Sequence, residues 1–591
     1  MKTVRVLSAC LEGAGAFLVT IQARFEPSQQ GPTEIQLTGL PDPVLRESRG
    51  RLACVLAAGK LRTGPGRLHL HLAPAARRKS GEGLDLALVL ASAAAAGHLE
   101  PRQLEGTLFL GEVGIDGALT ATPGGLAAAL EARRHGVTEV VAPPGAAREV
   151  AALADVRAFE ASDLGEALAH VTRAPGDPAR PAARRPVPAP GVDRDRLGRR
   201  LDEVRGQGEA KFALQVAAAG GHGLLMVGPP GAGKTMLARR LVDLLPAPTL
   251  EERIAATAIR SAAGRRAEGL VADRPFRAPH HTTSHAGLLG GGNPISPGEI
   301  TLAHGGVLFL DELPEFGRDA LEGLRQPLEE GRIHIARAGR RLELPAAFQL
   351  VAAMNPCPCG HAGHPRIVCR CPPSAVARYR RRLSGPVLDR IDLRVTVRPT
   401  PVEALVPSGD DRAPASAGEG RRMIEEVLDA RGRAALRAAR TLGAGPAGAG
   451  RRAAGPRAAG TDAPGGSGLP GSSDLSGSSG LSGGSSLSGN PGASSPNGQA
   501  GANGDLATGA AVEPTGPVNA SLSPAELDRV ARLDGAGAAL LRRAAGERQL
   551  STRAVQAVRR VARTVSDLRG LEEVDAEAVA TALSLREGLD G

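Results

Sequence analysis

Gly228, Pro229, Pro230, Gly231, Ala232, Gly233, Lys234 and Thr235 fit the spacing G-x-x-x-x-G-K-[ST]. Glycines at these points let backbone N–H groups turn inward around phosphate oxygens, and a helix opening on such a loop adds positive potential at its N-terminus. Lys234 is placed to reach β- and γ-phosphates, and the Thr235 hydroxyl to ligate Mg²⁺. The only other lysines are Lys2, Lys60, Lys79 and Lys211. In a chain that nearly always uses arginine, a lysine here is informative, because a compact ammonium fits this cradle and a planar guanidinium does not. The chemistry indicated is binding of ATP with its Mg²⁺.

Two further strand ends supply matching groups. "GGVLFLDELPEF" is an apolar run that ends in Asp311-Glu312. Asp311 is expected to hold Mg²⁺ directly or through water, and Glu312 to orient and polarise the attacking water. "FQLVAAMNP" is a second apolar run, ending in Asn355, whose amide can hydrogen-bond both a γ-phosphate and that water. Three such positions at strand ends describe an additional-strand (AAA+) ATPase rather than a small GTPase.

Asn355 opens a cysteine-rich stretch, Cys357-x-Cys359-x9-Cys369-x-Cys371, with His361 and His364 inside it. Four thiolates in two tight pairs could close a tetrahedral Zn²⁺ site, although C-x-C is tighter than the usual C-x2-4-C. Reduced structural thiols and a redox switch are the other readings. On each of them the stretch pins the loop after Asn355. A metal site from His280, His281 and His285 in "PHHTTSH" is the weaker idea, since adjacent histidines rarely ligate one ion.

The elements that must position these groups follow from periodicity. Residues 198–405 alternate apolar strands ("GLLMVG", "GVLFLDE", "FQLVAAMN") with amphipathic helices. That pattern implies an α/β core, a parallel sheet with crossover helices. Residues 1–170 read as a second α/β or α+β domain: "GRLHLHLAP" alternates with period two, and "GLDLALVLASAAAAG" and "GGLAAALEARRHG" read as helices. A Pro- and Arg-rich linker is expected over 171–197, a helical segment over 406–439, and a flexible Gly/Ser/Ala/Pro insert over 440–517. A C-terminal helical lid follows over 518–591, with Ser523 as N-cap and "STRAVQAVRRVARTVSDLRG" as an amphipathic helix.

Net charge is +10 over 591 residues, a soft pointer to a polyanionic partner. Aromatics make up only 2%, which argues against base-stacking platforms. No apolar run is long enough to span a bilayer, and six mostly clustered cysteines do not make a disulfide scaffold. A cytoplasmic protein without a membrane partner is the expectation.

These stretches together resemble the magnesium-chelatase-like AAA+ ATPases, in particular the YifB/ComM group, across most of residues 205–398 and 548–568. "RPFRAPHHTTSHAGLLGGGNPISPGEITLAHGGVLFLDELPEF", "RYRRRLSGPVLDRIDL" and "LSTRAVQAVRRVARTVSDL" carry the likeness beyond the phosphate loop. The resemblance implies an arginine finger at Arg390, acting on a neighbouring subunit, and a sensor-2 arginine at Arg553 in the lid. It also implies a hairpin over Arg332–Pro345 that points into a ring pore, offering Arg337, Arg340 and Arg341 to DNA. The local alternatives are an ion pair of Arg390 with Asp389 or Asp392, and an ordinary basic hairpin surface. A finger given in trans implies a ring, a homohexamer.

Residues 1–170 resemble the Lon-protease-type domain of the ribosomal S5 domain-2 fold. Gly83 stands where its serine nucleophile would be and Ala127 where its lysine would be, with Lys79 and Ser80 out of register. A protease-dead domain serving assembly or docking is the expectation. The family likeness implies a motor that moves along branched or single-stranded DNA without sequence preference and migrates recombination intermediates. The alternative is a chelatase-like motor that remodels a protein or metal-insertion partner. The absence of a Lon-like domain from the chelatase motor subunit favours the first.

Overall fold

The computed structural model describes residues 3–39, 43–57, 61, 63–79, 83–173, 193–265, 269–292, 295–337, 340–364, 366–400, 418–442 and 518–587. The insert expected over 440–517 lies outside them apart from its first three residues, which end the helix Glu419–Leu442. Most of the expected linker lies outside them too, but the helix Arg194–Asp202 starts within its last residues, capped by the Asp193 carboxylate.

The nucleotide-loop sequence sits in a five-stranded, wholly parallel sheet. In spatial order its strands are Phe276–Arg277, Val307–Leu310, Gln349–Met354, Leu224–Val227 and Leu393–Thr396. Leu224–Val227 and Val307–Leu310 are buried at every position, as a sheet covered on both faces requires. Gly228, Asp311 and Asn355 immediately follow three adjacent strands at their carboxyl ends, where open α/β sheets bind ligands.

One sheet face is covered by the helix Gly208–Gly220, and beyond it by helices Glu419–Leu442 and Thr552–Leu568. Met226, Phe309 and Val395 of the sheet share a continuous apolar cluster with Val427, Val558, Val561 and Val579 of the C-terminal helices. The lid is therefore built into the core. Helix Pro524–Val530 starts with the expected Ser523 cap, reinforced by a reciprocal bond between Glu526 and the Ser523 backbone.

The N-terminal region forms a seven-stranded mixed sheet, ordered Thr33–Thr38, Gly66–Ala73, Gly15–Pro27, Val4–Glu12, Thr107–Phe109, Glu139–Ala142 and Arg157–Glu160. Helix Asp85–Ala95 is buried along almost its whole length, so its all-round apolar sequence is a core helix. Ala14 at the first hairpin turn packs in one cluster with Ile333 and Leu344. Ser261 of helix Leu250–Ala262 donates to Glu149 at 2.6 Å and accepts from Gly124 N at 3.2 Å. The N-terminal region thus packs on both the hairpin and a core helix. Gly83 brings no side chain, Ala127 is buried in the helix Gly125–Arg134, and Ser80 lies outside the described residues. Lys79 is buried against the carbonyls of Gly39 and Pro74, and that burial lowers its pKa.

Candidate nucleotide site

The turn after Leu224–Val227 passes so close to the strand Leu393–Thr396 that a Cβ at Gly228 would meet the Val397 carbonyl at 2.2 Å. Only glycine fits there. Helix Lys234–Leu244 then opens on the loop, so its first N–H groups face the cradle. Lys234 is 8% exposed. Its Nζ donates to the carbonyls of Gly228 at 2.6 Å and Pro229 at 2.9 Å, and to Asn355 Oδ1 at 3.1 Å. Burial pulls its pKa below the usual lysine value, while Asp311 and Glu312 pull the other way. The ammonium is held at the loop by acceptors that a phosphate can replace.

Thr235 Oγ1 donates to Asp311 Oδ2 at 2.9 Å, and the Glu312 N–H donates to Asp311 Oδ1 at 2.9 Å. Hydroxyl and carboxylate together form a hard-oxygen pair suited to a divalent cation. These donors fit Mg²⁺. Glu312 has a left-handed backbone, φ 53°, uncommon for a residue with a side chain. Its carboxylate lies 3.0 Å from His281 Nδ1.

The sequence reading missed several neighbours. Gln207, also at positive φ, donates through Nε2 to the carbonyl of Arg398 at 2.6 Å and to Thr400 Oγ1 at 3.2 Å. It fixes the chain after the last sheet strand next to the phosphate loop. Tyr379, the single tyrosine, is buried beside the Asn355 backbone, and burial pushes its pKa up to about 12. Nothing in the sequence around His281 pointed to its contact with Glu312. Among the described residues, the cysteines are the one group of three or more such side chains gathered closely enough to hold an ion. His280, His281 and His285 are not brought together. No local signal marks any of these roles, since each is a contact between distant segments.

The four cysteine Sγ atoms lie within 4.8 Å of one another. Cys357 to Cys359 is 3.4 Å, and Cys369 is 3.6 Å from each of those two. Disulfides require about 2.05 Å. Tetrahedral Zn–S bonds of about 2.3 Å imply sulfur separations of about 3.8 Å. The quartet has the shape of a closed metal site with little adjustment. Two loop N–H groups, of His361 and Arg370, lower the Cys359 pKa to about 6, whereas burial and the neighbouring thiols raise those of Cys369 and Cys371, so the thiolates such a site needs would depend on the metal's own charge. Gly360, at φ 83°, lies against the phosphate loop: a Cβ there would fall 2.6 Å from Pro230 Cδ.

Arg390 pairs with neither Asp389 nor Asp392. It reaches Glu329 at 2.6 Å, and Arg553 of the lid meets the same carboxylate oxygen. Asp392 Oδ2 instead accepts from His222 Nδ1 at 2.9 Å, and His222 Nε2 contacts the Thr564 hydroxyl of the lid at 2.8 Å. The hairpin runs from Arg332–Arg337 to Arg340–Pro345 in antiparallel register. The side chains of Arg337, Arg340 and Arg341 lie outside the described residues. No helix among the described residues is long and apolar enough to cross a membrane.

Sheet order, phosphate loop and C-terminal helices define an AAA+-type α/β protein. The family model described as magnesium chelatase, subunit ChlI, matches residues 200–405, and that of the ChlI C-terminal region matches 505–586. A third, subunit ChlI of Mg-chelatase, matches 26–146. The YifB protein of Salmonella typhimurium is 38% identical over 415 residues, 70% of this chain and 79% of that protein. Competence protein ComM of Haemophilus influenzae is 39% identical over 414 residues, 69% and 79% of the two chains. A Mycobacterium tuberculosis protein is 40% identical over 394 residues, 66% and 76%. The chain belongs to the magnesium-chelatase-like YifB/ComM family.

Proposed function

We propose that the chain is an ATPase that works as a homohexameric ring, moves along DNA and migrates branched recombination intermediates. The observation that carries the ATPase is the convergence of Lys234, Thr235, Asp311 and Asn355 at three adjacent strand ends, within 2.9–3.1 Å of one another in pairs. Mg²⁺ held by Thr235 and Asp311 would neutralise phosphate charge. The phosphate-loop N–H groups and Lys234 bind and orient the triphosphate. Asn355 positions the terminal phosphate, and Glu312 takes the proton of the attacking water.

Arg390 and Arg553 share Glu329, which supports assigning both to one face that completes a neighbour's site. A ring follows from that assignment. For DNA, the support is the competence name of the Haemophilus relative, the +10 charge and three arginines at the hairpin turn. The Cys357, Cys359, Cys369 and Cys371 quartet is assigned to structural Zn²⁺. The chelatase-like reading, a motor acting on a protein or metal-insertion partner, is favoured only by the names of the three family models.

Hydrolysis measured with and without forked, three-stranded and four-way DNA, beside Lys234→Ala, tests the reading. Stimulation with junction movement, lost in the variant and at high salt, is expected. Vigorous hydrolysis indifferent to every DNA would transfer the assignment to the chelatase-like motor.

A further inference from the structure

Glu329 lies in the short helix Arg325–Glu330, just before Gly331 turns the chain into the hairpin strand Arg332–Arg337. Its Oε1 accepts from Arg390 Nη2 at 2.6 Å and, closer still, from Arg553 Nη2. One oxygen atom thus receives two guanidinium groups from segments 61 and 224 positions away in sequence. Arg390 is further tied down by donating to the Pro386 carbonyl at 2.5 Å, and its side chain is only 13% exposed.

Two guanidinium groups so close repel each other, and the carboxylate between them offsets that repulsion. The cluster still carries one net positive charge beside solvent, with planar donors suited to phosphate. Such a patch is incomplete by itself: it calls for an anion from outside the chain. We propose that Glu329 is a positioning residue, which holds Arg390 and Arg553 as a matched pair for the nucleotide of an adjacent copy of this chain. The inference rests on the ring reading given above and adds the residue that sets the pair. Glu329 touches no nucleotide itself.

Exposed ion pairs contribute little to folding. A merely structural Glu329 would leave hydrolysis untouched, whereas a positioning Glu329 acts on the neighbour's turnover. Full-length Glu329→Ala is expected to keep the wild-type melting temperature and ATP affinity but lose about tenfold or more in kcat, as when one transition-state donor is misplaced. Glu329→Asp, which keeps the charge on a shorter arm, should recover part of that loss.

The deciding experiment mixes variants. Glu329→Ala keeps its own phosphate loop, and Lys234→Ala keeps the arginine pair, so mixed rings contain interfaces with every group intact. Hydrolysis of the mixture should exceed the sum of the two proteins measured separately. Arg390→Ala mixed with Lys234→Ala is the control for arginine action in trans. Recovery in the control but not with Glu329→Ala would place Glu329 in its own subunit's site and overturn the proposal. No recovery in the control would overturn the trans reading, and the proposal with it. Wild-type kcat in Glu329→Ala would overturn the proposal alone. Should Glu329→Ala fail to fold, Glu329→Gln, which keeps shape and removes charge, carries the same mixing test.

Discussion

The His281 imidazole lies 3.0 Å from the carboxylate of Glu312, at a residue whose backbone is held at φ 53°. The contact joins the loop after strand Phe276–Arg277 to the end of the neighbouring strand Val307–Leu310. It engages the carboxylate proposed to accept a proton from the attacking water. An exposed pair of this kind is worth about 0.2–1 kcal/mol. Freed of it, Glu312 is a readier base. His281→Ala should therefore raise DNA-independent kcat by up to about fivefold, since about 1.4 kcal/mol is tenfold in rate, with little change in KM. A fall in kcat would show that the imidazole supports Glu312 rather than restraining it.

Lys234 is expected to set the alkaline limit of the proposed hydrolysis. Burial lowers its pKa from the ordinary 10.5, so the free protein loses the ammonium at lower pH than an exposed lysine would. Bound phosphates favour the charged form and move the loss back up. The profile of kcat/KM, which reports the free protein, should turn down at lower pH than that of kcat, which reports the complex. Coincident alkaline limbs would remove Lys234 as their source. Lys234→Ala should reduce kcat/KM by about 10²-fold or more.

The linkage between the cysteine loop and the phosphate loop can be tested at Gly360. A methyl group there meets Pro230 Cδ at 2.6 Å on a φ of 83°, and strain at such a position costs about 1–3 kcal/mol. Gly360→Ala should raise KM for ATP several-fold while the zinc content stays constant. An unchanged KM would show that the two loops are merely adjacent.

Elemental analysis of freshly purified protein should find about one zinc per chain, as a four-thiolate site requires. Cys369→Ser should lower that content and the melting temperature together. Full thermal stability in a metal-free preparation would leave the four residues as reduced thiols.

The parts of the site read from sequence were those written in one stretch. The phosphate loop announces itself through Gly228, Gly233, Lys234 and Thr235, and Asp311 and Asn355 each follow a run of buried apolar strand residues. The period-two run in Gly66–Ala73 became a strand with alternate residues buried, because side-chain alternation is set by the backbone alone. The partners of those groups could not be read. His281 meets Glu312 across 31 positions and Glu329 meets Arg553 across 224, and nothing in the composition near His281 or Glu329 marks them. The lid shows the same divide. Its helices follow from periodicity and caps, but the docking of Glu419–Leu442 on Thr552–Leu568 depends on Arg437 reaching Asp567 at 2.5 and 2.7 Å.

His222, fully buried, touches Asp392 in the core and Thr564 in the lid. Asn519 bonds the same threonine at 3.0 Å, and the apolar cluster runs unbroken through both parts. Opening a hinge here would strand the buried His222 imidazole, at a cost of about 1–3 kcal/mol, besides the apolar surface exposed. Core and lid are therefore tied into one packed block. In the ring proposed above, the part left free to move in each cycle would be the seam between neighbouring blocks.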